Sequence, residues 1–233
     1  MKNETVFQRY EFKYLLTRDQ QARLAAAGED LRPDVYSHSS IRNLYLDTPD
    51  FRLIRRSLEK PVYKEKLRLR SYGRTDRDSP VFMELKKKYR SIVYKRRLTL
   101  PYDRALDCLT GACPWPETQI GGEIRYTVDF YPDLESRVFL AYERDSWLAP
   151  ESGLRITFDD AIRFRTEELT LDSDPWGTAL LGPDQVLMEL KAPGSGRSSI
   201  SFTTRASPPG RRRLCWGSAR RRSPPASSGP ERS

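Results

Sequence analysis

The sequence predicts an α+β fold: a mostly antiparallel β-barrel with helices packed outside it. Two observations lead to this prediction. At least six segments alternate between apolar and charged residues with a period of two, which is typical of strands with one buried face. Two other segments, residues 17–27 and 120–131, have the boundary residues or the apolar spacing of helices. With 233 residues, the chain is long enough to bury a substantial core.

The first elements are a strand and a helix. Residues 5–15 alternate, with Glu11 and Lys13 on one face and aromatic residues on the other. A Thr-x-x-Gln capping box then begins the helix at 17–27, and Gly28 ends it. A second strand, SIRNLYLDTPDF, runs into an Asp-Thr-Pro turn.

The stretch KPVYKEKLRLRSYG, residues 60–73, predicts a strand with an unusual distribution of charge. Leucines occupy one face, and the other face carries four cations: Lys64, Lys66, Arg68 and Arg70. A solvated outer face is the ordinary explanation for one such strand. The rest of the chain repeats the pattern, however, and that repetition favours a different explanation.

A hairpin and more helical structure follow. Residues 79–101 predict two strands that turn near residues 89–91. The charged faces carry Glu84, Lys86 and Lys88 on the first strand and Lys95 and Arg97 on the second. Residues 101–117 predict a helix and a proline-rich loop, and the helix at 120–131 ends at Pro132.

Three strands complete the predicted domain. They are RVFLAYERDSWL, GLRITFDDAIRFR and QVLMELKAP, and between the last two DPWGTALLG predicts a short helical turn. The charged faces of the last two strands carry Arg155, Thr157 and Asp159, and then Glu189 and Lys191.

The composition changes after Pro193. Residues 194–233 are rich in Gly, Ser, Pro and Arg without periodicity, which predicts a disordered tail separate from a domain at 1–193. Residues 193–233 hold nine arginines and one acid, Glu231, so most of the net charge of +9 belongs to the tail. A basic RNA-binding tail is one interpretation. The other interpretation, which we prefer, is that a change of reading frame in the gene has replaced the native C-terminus.

Several functional classes are disfavoured by the composition. No apolar run approaches the ~20 residues of a transmembrane helix, and the N-terminus lacks the apolar stretch of a signal peptide, so a cytoplasmic location is expected. Three irregularly spaced cysteines suit neither a disulfide framework nor a zinc site. The single histidine, His38, lies in a polar loop without a nucleophile motif. The nearly neutral body of the chain and the absence of RNA-binding motifs argue against a nucleic-acid partner.

If the strands form one curved sheet, their charged faces converge on a lumen. Buried cations of like charge are unstable without an anion between them. A phosphate chain suits such a lumen, because arginine binds phosphate oxygens in pairs and lysine acts as a point charge. The interspersed glutamates would hold a divalent cation, Mg²⁺ or Mn²⁺, that bridges phosphate oxygens.

The ordered set of segments resembles the triphosphate tunnel metalloenzyme (CYTH-like) superfamily. It resembles more closely the VTC-type polyphosphate polymerase domain in its bacterial form, where VTC stands for vacuolar transporter chaperone. The matching segments run in the family's order from residue 9 to about 194: YEFKYLL, IRNLYLDTPDF, KLRLRSYG, FMELKKK with VYKRR, FLAYERDSWL, LRITFDDAIRFR and VLMELKAPG.

The resemblance implies both an activity and a set of site residues. The activity is metal-dependent transfer of the γ-phosphoryl group of ATP to a polyphosphate chain. Hydrolysis of tripolyphosphate or a nucleoside triphosphate remains an alternative, as does a non-catalytic polyphosphate or inositol-phosphate binder. Glu189 matches the metal-binding carboxylate, with Lys191 beside it, and Glu84 and Glu11 are weaker candidates for holding metal or ordering the cations. The matching phosphate-binding residues are Lys13, Arg68, Arg70, Lys86, Lys95, Arg144 and Arg155.

The chain departs from the family after its Glu-x-Lys-x-Pro-Gly segment. Such domains continue with an amphipathic helix and a Ser-Lys-Tyr motif, whereas the Arg/Ser/Pro tail begins here. The departure predicts a tunnel that is open along the strand at 186–191, with unpaired backbone groups there and reduced activity.

Overall fold

One antiparallel sheet carries the two kinds of face that the alternating sequence predicts. The computed structural model describes residues 9–28, 30–90, 92–193, 204–205 and 213–214. The strands of the sheet are β1 (Arg9–Thr17), β2 (Arg32–Asp47), β3 (Tyr63–Tyr72), β4 (Pro80–Tyr89), β5 (Ile92–Pro101), β6 (Glu135–Ala149), β7 (Leu154–Arg165), β8 (Thr178–Ala179) and β9 (Gln185–Pro193). In the described residues, their order is β1-β9-β7-β6-β2-β3-β4-β5, with β8 paired to β7.

The helices are α1 (Arg18–Ala27), α2 (Arg52–Leu58), α3 (Tyr102–Thr110) and α4 (Gln119–Phe130). The predicted helices at 17–27 and 120–131 are confirmed as α1 and α4, and the predicted helix after residue 101 is α3. The capping box is present as well: the Gln20 amide donates to Thr17 Oγ1 (3.2 Å), and the Thr17 amide donates to Gln20 Oε1 (3.0 Å). These helix boundaries could be predicted because local side chains determine them.

Helix α2 was not predicted, although its start has a clear physical cause. It follows the Asp-Thr-Pro turn, and the Asp47 carboxylate accepts from the amides of Leu53 (2.8 Å) and Ile54 (3.0 Å). The Asp47 carboxylate therefore accepts from amide groups that the first turn of a helix leaves without a partner.

Strand β2 begins at Arg32, earlier than the predicted start at residue 40.

The helical turn predicted for residues 174–182 is wrong. This segment is irregular apart from β8, and the Leu180 amide donates to the Ile162 carbonyl of β7 at 2.9 Å. Gly177 has φ +137, which no helix accommodates, and a Cβ there would lie 2.4 Å from the Phe164 carbonyl oxygen. Close approach to β7 decides the conformation of this segment.

The barrel is unclosed, but its opening is not where the departure from the family predicted. Strand β9 pairs with β7 on one side and with β1 on the other, so the prediction of an unpaired edge at 186–191 is wrong. The N-terminal strand occupies that edge. The edges of the sheet are β1 and β5, and the described residues contain no ladder between them.

Helices α3 and α4 cover the apolar face of β2–β5. Leucines and a methionine of the sheet pack there against the helices and against Phe139 and Leu171. The central members of this core are Leu44, Leu67, Leu69, Met83, Leu85, Ala105, Cys108 and Ile124. With this face buried, the opposite face of the same strands is left for the charged side chains.

Most of the predicted disordered tail lies outside the described residues, as does Ser91 of the predicted turn at 89–91. Within the tail, the structure describes β10 (Thr204–Arg205) and β11 (Arg213–Leu214), which pair antiparallel. The part of the chain that the structure describes contains no helix long and apolar enough to cross a membrane.

The substitution Ile124→Ala tests the packing of α4 on the sheet. Ile124 is fully buried in the core, so the variant should lose about 2–5 kcal/mol of unfolding free energy in a denaturant titration. Arg125→Ala on the same helix is the control. Arg125 is exposed and pairs with Asp129 only at the surface, so about 0.5 kcal/mol or less is expected. Equal losses in both variants would contradict this account of the core.

Candidate functional site

Strand register places the predicted basic residues of β3, β4 and β5 on one face. Arg68 lies opposite Glu84, and Glu84 lies opposite Arg97. Lys86 lies opposite Lys66 on β3 and Lys95 on β5. Since directly opposed residues of antiparallel strands point to the same side of a sheet, these side chains share one surface.

Glu84 is the centre of a dense ion-pair cluster. Its side chain is 2% exposed. Arg68 donates to one carboxylate oxygen through Nε (2.9 Å) and Nη2 (2.6 Å), and Arg97 donates to the other through Nε (2.8 Å) and Nη2 (2.5 Å). Lys95 Nζ lies 2.8 Å from the second oxygen, and Arg70 Nε lies 3.8 Å from the first.

The surrounding cations keep Glu84 ionised. Burial alone would raise the pKa of this carboxyl, but the hydrogen bond from Lys95 and the charges of Arg70 and Arg68 lower the pKa to about 2. Both oxygens are occupied by basic groups. This geometry favours the second of the two roles predicted for Glu84, the ordering of cations, over metal binding.

Three uncharged residues that the sequence analysis did not select hold the arginines of β3. Arg70 is buried and donates to Asn43 Oδ1 (2.9 Å) and to the Tyr142 hydroxyl (3.2 Å), and Arg68 Nη1 donates to the Tyr45 hydroxyl (2.9 Å). Asn43 and Tyr45 alternate along β2 in the register of the charged face. That alternation is the sequence signal for Asn43 and Tyr45, but neither residue carries a charge, so the pattern of charged residues does not include them.

Glu189 forms a second cluster, with Lys13 of β1 and Lys191 of its own strand. Its Oε2 lies 3.2 Å from Lys13 Nζ, and its Oε1 contacts Lys191 Nζ. Burial alone would raise the pKa of Glu189, whereas the hydrogen bond and charge of Lys191 and the charge of Lys13 lower the pKa to about 2. The sequence had predicted Lys191 beside Glu189, whereas Lys13 was predicted only as one of the phosphate-binding residues.

Arg144 and Arg155 have carboxylate partners of their own. Arg144 binds both oxygens of Asp159 (2.6 and 2.7 Å). Burial lowers the pKa of Arg144, but Asp159, Tyr142 and Glu189 together raise it. Arg155 lies opposite Lys191 in the β7–β9 register, yet its guanidinium binds Asp34 of β2 (3.0 Å) rather than Glu189.

The charged faces of distant strands converge. The pKa of Lys66 on β3 is lowered by burial and by repulsion from Lys64, Lys86 and Lys13. Lys13 belongs to β1, which four strands separate from β3 in the sheet order. Repulsion between side chains separated by four strands fits a curved sheet whose concave side carries both of them. Within the described residues, neither Lys66 nor Lys86 has a carboxylate partner.

A divalent cation would find few protein ligands here. The described residues contain no group of three or more His, Cys, Asp or Glu side chains able to hold a metal ion. Glu189 and Glu11 nevertheless face one ammonium, that of Lys13, at 3.2 and 3.7 Å. Two carboxylates of this kind fit Mg²⁺ or Mn²⁺, whose remaining ligands are commonly water and substrate phosphate. Glu84, already surrounded by cations, fits less well.

Comparison with known proteins gives a family match over most of the chain. A family model described as the VTC domain matches residues 8–207. No curated protein sequence matches the chain.

Solved structures similar to this chain share little sequence with it. One is a proposed adenylate cyclase from Bacillus halodurans, at 18% identity, covering 78% of this chain and 79% of its own, with a TM-score of 0.49. Another is a proposed adenylyl cyclase from Hippeastrum with a dominant triphosphatase activity. It has 14% identity, covers 79% of this chain and 80% of its own, and has a TM-score of 0.43.

The substitution Glu84→Gln tests the charge balance of the first cluster. Removing one partner of a buried ion pair leaves the others uncompensated, so we expect a loss of about 3 kcal/mol of unfolding free energy at neutral pH. A carboxyl with a lowered pKa in the folded state stabilises the fold above its unfolded pKa, and that contribution disappears as the pH falls. The stability difference between the two proteins should therefore shrink from pH 4.5 towards about pH 2.

Glu123→Gln is the matched control for Glu84→Gln. Glu123 pairs with Arg96 (2.9 Å) between α4 and β5 and is more exposed than Glu84. Its removal should cost less than about 1 kcal/mol. Urea titrations of both variants across the acidic range provide the measurement, and a Glu84→Gln loss that does not change with pH would contradict the ion-pair interpretation.

Proposed function

Because the chain belongs to the VTC domain family, we propose that it is a polyphosphate polymerase-like enzyme that transfers the γ-phosphoryl group of ATP to a polyphosphate chain. The observation that carries this proposal is the pair Lys66 and Lys86. These lysines lie opposite each other on β3 and β4 without carboxylate partners in the described residues, and Lys66 is close enough to Lys86, Lys13 and Lys64 for their charges to repel its own. An anion between them would remove that repulsion.

A phosphate chain suits this arrangement better than a single small anion. The cations follow several strands, from Lys13 on β1 to Lys95 on β5, so successive phosphate groups would each meet a positive charge. Lysines bind phosphate as point charges, whereas the arginine forks bind pairs of oxygens. Because Glu84 and Asp159 already fix the guanidinium planes of Arg68 and Arg144, little side-chain entropy would be lost on binding.

Phosphoryl transfer in such a site depends on position and charge. Lys66 and Lys86 would neutralise the phosphate oxygens, and Glu84, Asn43 and Tyr142 would hold Arg70 in a fixed orientation. A bound Mg²⁺ or Mn²⁺, held by Glu189 with help from Glu11, would supply further charge neutralisation at the phosphates. No histidine is needed for this chemistry.

Two other functions use the same residues. With water as the acceptor, the site would hydrolyse tripolyphosphate or a nucleoside triphosphate, and without turnover it would bind polyphosphate or an inositol phosphate. We favour the polymerase because the family match covers residues 8–207. We also propose a cytoplasmic location, and nucleic acid is not among the proposed partners.

Product analysis distinguishes these functions. Purified protein is incubated with ATP and Mn²⁺, and polyphosphate, inorganic phosphate and unchanged ATP are separated. Polyphosphate with a matching amount of ADP supports the proposal. Inorganic phosphate alone indicates the hydrolase, and unchanged ATP in the presence of measurable tripolyphosphate binding indicates the binder.

The adjacent pair Lys86 and Lys87 provides a matched test of the lumen. Lys86→Ala should weaken tripolyphosphate binding by about 1.5 kcal/mol, or roughly tenfold, because one charge-assisted contact is lost. Lys87 follows on the opposite face of β4, so Lys87→Ala should leave that affinity unchanged. Arg70→Ala should weaken binding at least as much as Lys86→Ala.

Isothermal titration calorimetry measures the three affinities, and thermal unfolding shows that each variant still folds. Equal effects of Lys86→Ala and Lys87→Ala would indicate non-specific attraction to a basic surface. An unchanged affinity in both Lys86→Ala and Arg70→Ala would contradict a phosphate site in the lumen.

Glu189→Gln tests the metal assignment. A carboxylate near phosphate is useful only with a cation between them, so the variant should lose divalent-dependent turnover. Its tripolyphosphate affinity without metal should be kept or improved, because Lys13 and Lys191 lose their competing partner. Titrating Mn²⁺ against activity and repeating the binding measurement in a chelator gives both readouts. Turnover with normal metal dependence would show that Glu189 is not the ligand.

A further inference from the structure

One end of the sheet carries a surface that the phosphate site does not use. It is formed by residues 56–62, which are the last turn of α2 and its connection to β3, and by residues 87–93 around the β4–β5 turn, leaving out Ser91. The Arg90 amide donates to the Val62 carbonyl (2.7 Å), and Tyr89 lies opposite both Tyr63 and Ile92 in the strand register. We call this surface the basic–apolar rim.

Aliphatic side chains project from the rim into solvent. Leu58 is 73% exposed, Val62 61% and Ile92 55%. Single exposed apolar residues are common on protein surfaces. A group of them on backbone segments joined by hydrogen bonds is less common and is typical of a surface that meets a partner.

The rim also has an excess of positive charge. Lys88 belongs to the lumen face of β4, opposite Lys64, and is left out of the count. The other rim residues contain one acid, Glu59, and four cations: Arg56, Lys60, Lys87 and Arg90. In the described part of the chain, none of the four forms an ion pair. Exposed arginines elsewhere do pair, such as Arg23 with Asp19 (2.9 Å) and Arg125 with Asp129 (3.3 Å). The rim cations are therefore available to an external anion.

We propose that the basic–apolar rim docks the protein on the surface of an anionic lipid bilayer. Aliphatic side chains flanked by unpaired lysine and arginine match such an interface, where apolar groups enter the acyl boundary and cations meet lipid phosphates. Single-stranded RNA is a poorer match because its bases stack on open aromatic rings. The Tyr89 ring, the only aromatic ring among the described rim residues, lies under the Arg90 guanidinium (5.4 Å).

Vesicle co-sedimentation of the full chain tests the proposal. Vesicles of phosphatidylcholine with phosphatidylserine are compared with vesicles of phosphatidylcholine alone, without ATP. The parent protein should bind only the anionic vesicles. Leu58→Ser combined with Ile92→Ser should weaken binding at least about tenfold through lost apolar burial. Lys60→Gln combined with Arg90→Gln should weaken it about 25-fold, at about fivefold for each cation, and should reduce its dependence on salt.

Val35→Ser combined with Tyr36→Ser is the matched control. These residues are also highly exposed, at 89% and 74%, but lie on β2 away from the rim segments, so vesicle binding should not change. The arginine-rich residues 193–233 are identical in every variant, and attraction through them alone would be insensitive to all these substitutions. Rim variants that bind vesicles like the parent would therefore overturn the proposal.

Two further measurements complete the test. Thermal unfolding and tripolyphosphate affinity should match the parent in the rim variants, which shows that they fold. Binding of a single-stranded RNA oligonucleotide is measured in parallel. A loss confined to RNA, with vesicle binding intact, would overturn the proposal. Vesicle binding requires no turnover, so its outcome is separate from that of the proposed enzymatic function.

Discussion

The balance of charge inside the curved sheet is the constraint on which this structure depends. Buried or half-buried guanidinium groups are unfavourable unless carboxylates or other acceptors meet them. The Glu84 carboxylate forms ion pairs with the arginines of β3 and β5, and the Asp159 carboxylate forms one with Arg144. These two carboxylates offset only part of the positive charge, since Glu84 alone is shared by four cations. Lys66 and Lys86 have no acid within ion-pairing distance in the described residues. A site of this kind is folded without its ligand and still attracts one.

The division of the sheet into two faces could be predicted because it depends on period and composition. A strand such as KLRLR has only one arrangement that buries both leucines, so Arg68 and Arg70 had to share the other side. The capping box of α1 could be predicted for a similar reason. In both cases the determining residues are neighbours in sequence.

Features that depend on distant residues could not be predicted in the same way. The partner of Arg155 is Asp34, from a part of β2 that the sequence does not mark as a strand. Asn43, Tyr45 and Tyr142 hold arginines without carrying charge, so their role depends on register between strands far apart in the chain. The pairing of β1 with β9 is also invisible to local patterns, and it reversed the expectation of an open edge at 186–191.

That pairing has a consequence for how the site is made. Strand β1 is the first strand of the sheet in chain order, and β9 is the last, yet Lys13 and Glu189 meet across them. Contacts with such long sequence separation form late in folding, because a long loop must close first. During synthesis, β1 emerges from the ribosome well before its partner, and Lys13 has only Glu11 of its own strand as a counterion until β9 follows. The second cluster therefore exists only in the finished domain, whereas the Glu84 cluster, built from the consecutive strands β3, β4 and β5, can assemble much earlier.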